Sequence, residues 1–185
     1  MRVFSNHDRY GAVAQFFHWL TVFLVGTAYI LSEGGSEQRL YSATPNLTLQ
    51  IHETFGMAVV AIVLLRLLWR LIDSVPEDPP MASWMKYSAK IVHLALYVLI
   101  ISTPVVGILG AWLEGHPVML VGIGNFGPML PQAHAAGQLL SEFHTILGNA
   151  VIWVAGLHAA AALFHHYALR DNVLVSMLPW TRHSP

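Results

Sequence analysis

Histidine is the residue that could do chemistry in this chain. Eleven histidines stand against only nine lysines and arginines in 185 residues. The stretch FHTILGNAVIWVAGLHAAAALFHHY, residues 143–167, holds His144, His158, His165 and His166 in an otherwise apolar run. At about 100° and about 1.5 Å per residue, His158 lies some 40° round from His144 and roughly 21 Å further along the axis. One helical face therefore carries two imidazoles at two depths. Imidazole is a ligand for transition metals and for porphyrin iron. Ligating groups inside so apolar a segment are costly and mark a site.

The elements that must position these groups are membrane helices. The chain is 55% hydrophobic and 10% charged, with a mean hydropathy of +0.55, whereas soluble domains carry about 25% charged residues. Four apolar stretches, about 11–31, 48–72, 89–112 and 141–169, reach the ~20 residues that cross a ~30 Å hydrocarbon core. The fold class that follows is an all-α membrane protein, a bundle of four transmembrane helices in a single domain over residues 1–185. Residues 11–31 read as the first span and not as a signal peptide, being long and lacking a small-residue cleavage site. A net charge of −1 leaves no footprint for nucleic acid. The absence of cysteine excludes disulfides, iron–sulfur clusters, thiolate zinc sites and covalently attached haem. Pro104 predicts a kink in the third helix. Residues 114–140, rich in Gly and Pro and nearly uncharged, are expected to fold back on the helix ends.

Basic residues set the orientation. Arg2, Arg9, Arg66, Arg70, Lys86, Lys90, Arg170 and Arg182 gather on one side of the bundle and Arg39 alone lies on the other. The positive-inside rule then places both termini in the cytoplasm. Each histidine thereby acquires a depth: His18 and His158 share the cytoplasmic half, His52 and His144 the outer half. Two pairs at two depths describe two stacked bis-histidine sites. Such ligation in an apolar bundle suits haem b, whose macrocycle is itself a large apolar body. Gly56 and Gly148, each four residues after a histidine of the outer pair, leave room on the ligand face.

Other readings stand beside this one. A single intramembrane histidine is often only a hydrogen-bonding link between helices. A bare zinc ion would want a third and fourth ligand, and Glu53 next to His52 points about 100° away from it. A histidine-lined pathway for metal ions is a further alternative. Around the pairs, His165 is seven residues past His158, nearly in phase and about 10 Å nearer the cytoplasm. Arg66 and Arg70 stand at the depth of the inner pair, where a guanidinium can fork onto a carboxylate. His93, near the cytoplasmic start of the third helix, has no depth-matched partner left. These four are candidate contacts to haem propionates or to a quinone. His116 and His134 are expected to be solvated in the outer loop, and His7 and His183 to lie in the tails.

The segments RYGAVAQFFHWL (9–20), IHETFG (51–56), HLALYVLIISTPVVG (93–107) and FHTILGNAVIWVAGLHAAAALFHHYALRDNVLVSMLP (143–179) together resemble the bacterial cytochrome b561 family. The resemblance implies a small four-helix protein of the bacterial inner membrane that encloses two haem b groups. It implies His18, His52, His144 and His158 as axial ligands of the haem iron, paired His18/His158 and His52/His144. It implies electron transfer between ubiquinone in the membrane and a donor or acceptor at the periplasmic face. One branch of the family oxidises superoxide there and reduces ubiquinone, a quinone-linked oxidoreductase activity. The outer segments here offer Arg39 against Glu33, Glu37, Glu53, Glu114 and Glu142, so steering of an anion is expected to be weak. The alternative is a haem b membrane-anchor subunit that relays electrons for a periplasmic redox enzyme. Membrane lipid, quinone and a periplasmic redox partner are the expected partners.

Overall fold

The computed structural model describes residues 2–32, 47–77 and 79–179. The expected polar connection holding Glu33, Glu37 and Arg39, and the tail with Arg182 and His183, lie outside the described residues.

The element order is α1 (Ala12–Ser32), α2 (Leu47–Ile72), α3 (Ser83–Leu113), β1 (Val118–Leu120), β2 (Gly124–Phe126), α4 (His134–Phe164) and a short α5 (Val173–Met177). A wider, π-helical turn over His165–Leu169 prolongs α4. The four long helices are each long and apolar enough to cross a membrane. Most of their surface is exposed and apolar, with Phe23, Leu68, Ile91, Trp153 and Leu157 all standing outward, as lipid-facing surface must.

Two helices start earlier than hydropathy alone suggests. α3 begins at Ser83 rather than 89, and α4 at His134 rather than 141. Hydropathy marks only the part of a helix that lies in hydrocarbon. The extra turns, SWMKYS and HAAGQLL, are mixed or mildly polar and extend toward the membrane surface. α3 continues through Pro104. The hydroxyls of Ser102 and Thr103 both donate to the Leu99 carbonyl, at 3.3 and 2.7 Å, one residue before the Ile100 carbonyl that the proline deprives of its backbone donor.

The helices associate as two pairs. α1 packs along α2 and α3 along α4, and α2 meets α3 more lightly, while the backbones of α1 and α4 scarcely approach. The buried core is small, with Leu24, Val59 and Val63 packed against Phe55, Tyr97 and Ile101. A groove thus separates α1 from α4.

At the end carrying the termini, the chain ties itself together. Asp73, just past α2, accepts from the Ser5 amide (2.9 Å), the Ser5 hydroxyl (2.6 Å) and Trp69 Nε1 (3.1 Å). Phe4 stacks on Trp69 at 5.1 Å. Gln15 and Trp19 of α1 donate to the carbonyls of Ser176 and Met177 at 3.0 and 2.9 Å, so α5 is seated on α1. At the opposite end, β1 and β2 pair antiparallel, Val118 with Phe126 and Leu120 with Gly124. This hairpin lies within the segment expected to fold back. It does so, since Met119 N donates to Glu53 at 2.7 Å and Val121 N to Thr54 at 2.9 Å.

Candidate metal centres

Four histidines meet across the groove in two pairs. The rings of His52 on α2 and His144 on α4 have centres 5.8 Å apart and are inclined at 85°. Those of His18 on α1 and His158 on α4 are 6.4 Å apart at 69°. A metal–nitrogen bond of about 2.0 Å on each side, with about 1.1 Å from nitrogen to ring centre, brings two imidazoles to about 6 Å across one metal ion. Both separations fit that distance.

The first pair is oriented by backbone. His52 Nδ1 lies 2.8 Å from the Ala28 carbonyl on α1, and His144 Nδ1 lies 2.8 Å from the Thr103 carbonyl on α3. A carbonyl only accepts, so Nδ1 carries the proton and Nε2 keeps its lone pair for a metal. Each histidine is therefore held by the other helix of its own pair. Gly107 lies one turn beyond Thr103, and a Cβ there would come 2.7 Å from His144 Nδ1. Glycine is needed at that position for the imidazole to reach the carbonyl. The spacing of residues in the sequence did not single out Ala28, Thr103 or Gly107. Only the packing of neighbouring helices reveals them.

In the second pair, His18 Nδ1 is buried without a hydrogen-bond partner among the described residues. An unpartnered buried nitrogen costs about 1–3 kcal/mol, so this one fits a group that the polypeptide does not supply. A Cβ at Gly56 or Gly148 would meet nothing within 4 Å. Both glycines therefore stand beside open space, one turn along from His52 and His144.

The surrounding candidates divide. Arg66 stands with its guanidinium carbon 5.7 Å from the Tyr97 ring centre, and its charge acts on both His18 and His158. It lines a small cavity of about 30 Å³ with Tyr10, Ala14, Trp69, Arg70 and Asp73. Arg70 is at the exposed rim. His93 departs from its expected place: because α3 starts at Ser83, it sits about three turns inside the helix and its ring centre is 5.1 Å from that of His158. It thus joins the His18/His158 cluster. His165 Nδ1 is 2.5 Å from Asp171 Oδ2, both largely buried. Asp171 was missed because the π-helical turn and the left-handed Arg170 (φ 56°) fold it back by a route that helical periodicity does not describe. His134 is the first residue of α4, 3.2 Å from Glu114, rather than a loop residue. His7 pairs with Glu77 at 3.1 Å on the surface.

The family model for prokaryotic cytochrome b561 matches residues 9–180. The chain belongs to the prokaryotic cytochrome b561 family. A probable superoxide oxidase CybB of Yersinia pestis is 32% identical over 95% of this chain and 99% of its own length. The cytochrome b561 homolog 2 of Escherichia coli K12 is 28% identical over 94% of this chain and 93% of its own. A cytochrome b562 of Cereibacter sphaeroides is 30% identical over 87% and 89%. This b561 chain is thus a four-helix membrane protein of electron transport. Membership implies haem b as cofactor and a bacterial inner membrane as location. The histidine pairs give the b561 assignment chemically suitable groups.

Proposed function

We propose that this protein binds two haem b groups, one between His52 and His144 and one between His18 and His158, and passes electrons across the membrane between the quinone pool and a reactant at the periplasmic face. The observation that carries this reading is the pair of ring separations, 5.8 and 6.4 Å, at two levels of one groove. Haem b supplies a one-electron couple at each level. The chain's own work is to orient and to insulate. Donation from Nδ1 to Ala28 and Thr103 keeps the outer imidazoles neutral and fixed. Apolar helix surface excludes water from both levels. Arg66 places a positive charge beside His18 and His158, suited to a propionate, with Arg70 behind it at the rim. His93, beside His158, and His165, held by Asp171, are the candidate hydrogen-bond partners for a quinone head group.

The orientation follows the basic residues. Arg2, Arg9, Arg66, Arg70, Lys86, Lys90 and Arg170 all belong to the end carrying the described termini, which makes that end cytoplasmic and the hairpin end periplasmic. Superoxide is the substrate named for the Yersinia relative, and it is the first reactant to offer at the periplasmic face. Glu53 and Glu114 are held by contacts within the protein, with Met119 N and His134 Nδ1.

Haem quantification on the purified chain tests the proposal. Two b-type haems per polypeptide, titrating as two components, are expected; one haem or none would refute it. Stopped-flow decay of superoxide with a ubiquinone analogue tests the substrate. No acceleration over a haem-free control would remove superoxide and leave the quinone-linked reading to be judged by quinol-driven haem reduction.

A further inference from the structure

The loop joining α3 to α4 shows an apolar surface that the histidine sites do not use. Val121, Ile123, Phe126, Met129 and Leu130 stand outward from it, Ile123 at 79% exposure. From Gly115 to Ser141 the chain has no Asp, Glu, Lys or Arg. A turn standing in water is normally polar, and an apolar cluster left exposed marks a contact surface.

The position of the hairpin decides what it contacts. Glu53 and Thr54 of α2 hold the amides of Met119 and Val121, and Trp112 at the end of α3 donates to the Phe126 carbonyl at 3.1 Å. The hairpin is thus laid across the helix ends. At the same end, Leu47 of α2 and Leu139 and Phe143 of α4 are exposed on helices that cross the bilayer. The apolar face of the hairpin therefore continues the lipid-facing surface of the helices. Trp112 suits the headgroup level, where indoles collect.

We propose that the hairpin Val118–Phe126, with the segment to Leu130, is an interfacial anchor whose partner is the bilayer surface, Ile123 and Met129 inserting among the acyl chains just below the headgroups. Insertion is apolar, without basic residues, so it needs no anionic lipid and is insensitive to salt. Its strands bond to residues 53 and 54, directly after His52. The anchor therefore holds the mouth of the His52/His144 site against the membrane surface.

The chain has no cysteine, so Ile123→Cys and Met129→Cys each give one site for an environment-sensitive fluorophore. Glu77→Cys serves as the aqueous reference and Trp153→Cys as the lipid reference, all in full-length haem-loaded protein in phosphatidylcholine nanodiscs. Expected is several-fold stronger quenching by doxyl-labelled phosphatidylcholine than at residue 77, with protection from aqueous iodide approaching that at residue 153, equal at low and high salt. Iodide quenching like that of residue 77 at both positions would overturn the anchor. So would protection from both quenchers, which would mean that protein, as a second copy or a partner, covers the hairpin. Two labelling positions keep the test decisive if one variant fails to fold.

Discussion

At the scale of single residues, the two histidine pairs differ in how they are supported. His52 and His144 each donate to a backbone carbonyl, which a side-chain substitution cannot remove. His18 Nδ1 has no such partner among the described residues, and its neighbours are His93, His158 and Arg66. Replacing His52 or His144 by Ala is expected to abolish the periplasmic-side haem signal and spare much of the other. His18→Ala and His158→Ala are expected to do the reverse; optical redox titration of all four variants checks the pattern. Gly107→Val should push the His144 ring off Thr103 and lower occupancy of that same level by 10-fold or more, within the 10–100-fold cost typical of disturbing the partner of a metal ligand. Its haem-to-protein ratio is the readout. A positive charge beside a haem favours the reduced state. Arg66→Gln should therefore lower the midpoint of the cytoplasmic-side haem, by about 40 mV if the interaction is worth about 1 kcal/mol. An unchanged or raised midpoint would show that Arg66 acts elsewhere.

At the scale of elements, the short pieces lock the long ones. The π-helical turn after α4 is closed by His165 and Asp171 at 2.5 Å, and α5 then returns to α1 through Gln15 and Trp19. Asp171→Ala removes the acceptor from a largely buried imidazole, at a cost of about 1–3 kcal/mol. The expected result is a lower temperature of haem loss in detergent with an unaltered spectrum at ambient temperature. At the other end, Glu114 packs against Gly137 in the first turn of α4, where any Cβ would strike it. Its carboxylate stands at the positive end of the helix dipole, with His134 beside it. Both contacts explain why α4 starts a full seven residues before its hydropathy rises.

At the scale of the whole molecule, two helix pairs face each other across a groove, joined mainly where α2 meets α3. Four imidazoles reach across it from both sides. Ligands that bind only the folded state stabilise it by mass action, and a group clamped from both walls would add the inter-pair contact that the helices largely lack. Haem-depleted protein should therefore unfold at lower temperature than haem-loaded protein, and re-addition of haem b should restore the difference, as differential scanning fluorimetry in detergent would show. Equal stability would mean that the pairs hold together unaided.

The sequence by itself determined the membrane class and the four spans, and it led to the expected pairing of His18 with His158 and His52 with His144, whose rings lie 6.4 and 5.8 Å apart. Hydropathy reads burial in lipid directly, and a helix in lipid has a fixed rise, so residue number converts to depth. It also led to the b561 family through motifs that extend over nearly the whole chain. Only the tertiary structure decided that His93 joins the His18/His158 cluster, that Asp171 closes on His165, and that Ala28, Thr103 and Gly107 orient the other pair. Those facts depend on which helices lie side by side and on a turn of irregular pitch. Helical periodicity gives a residue's depth and face, but not the backbone that an adjacent helix brings against it.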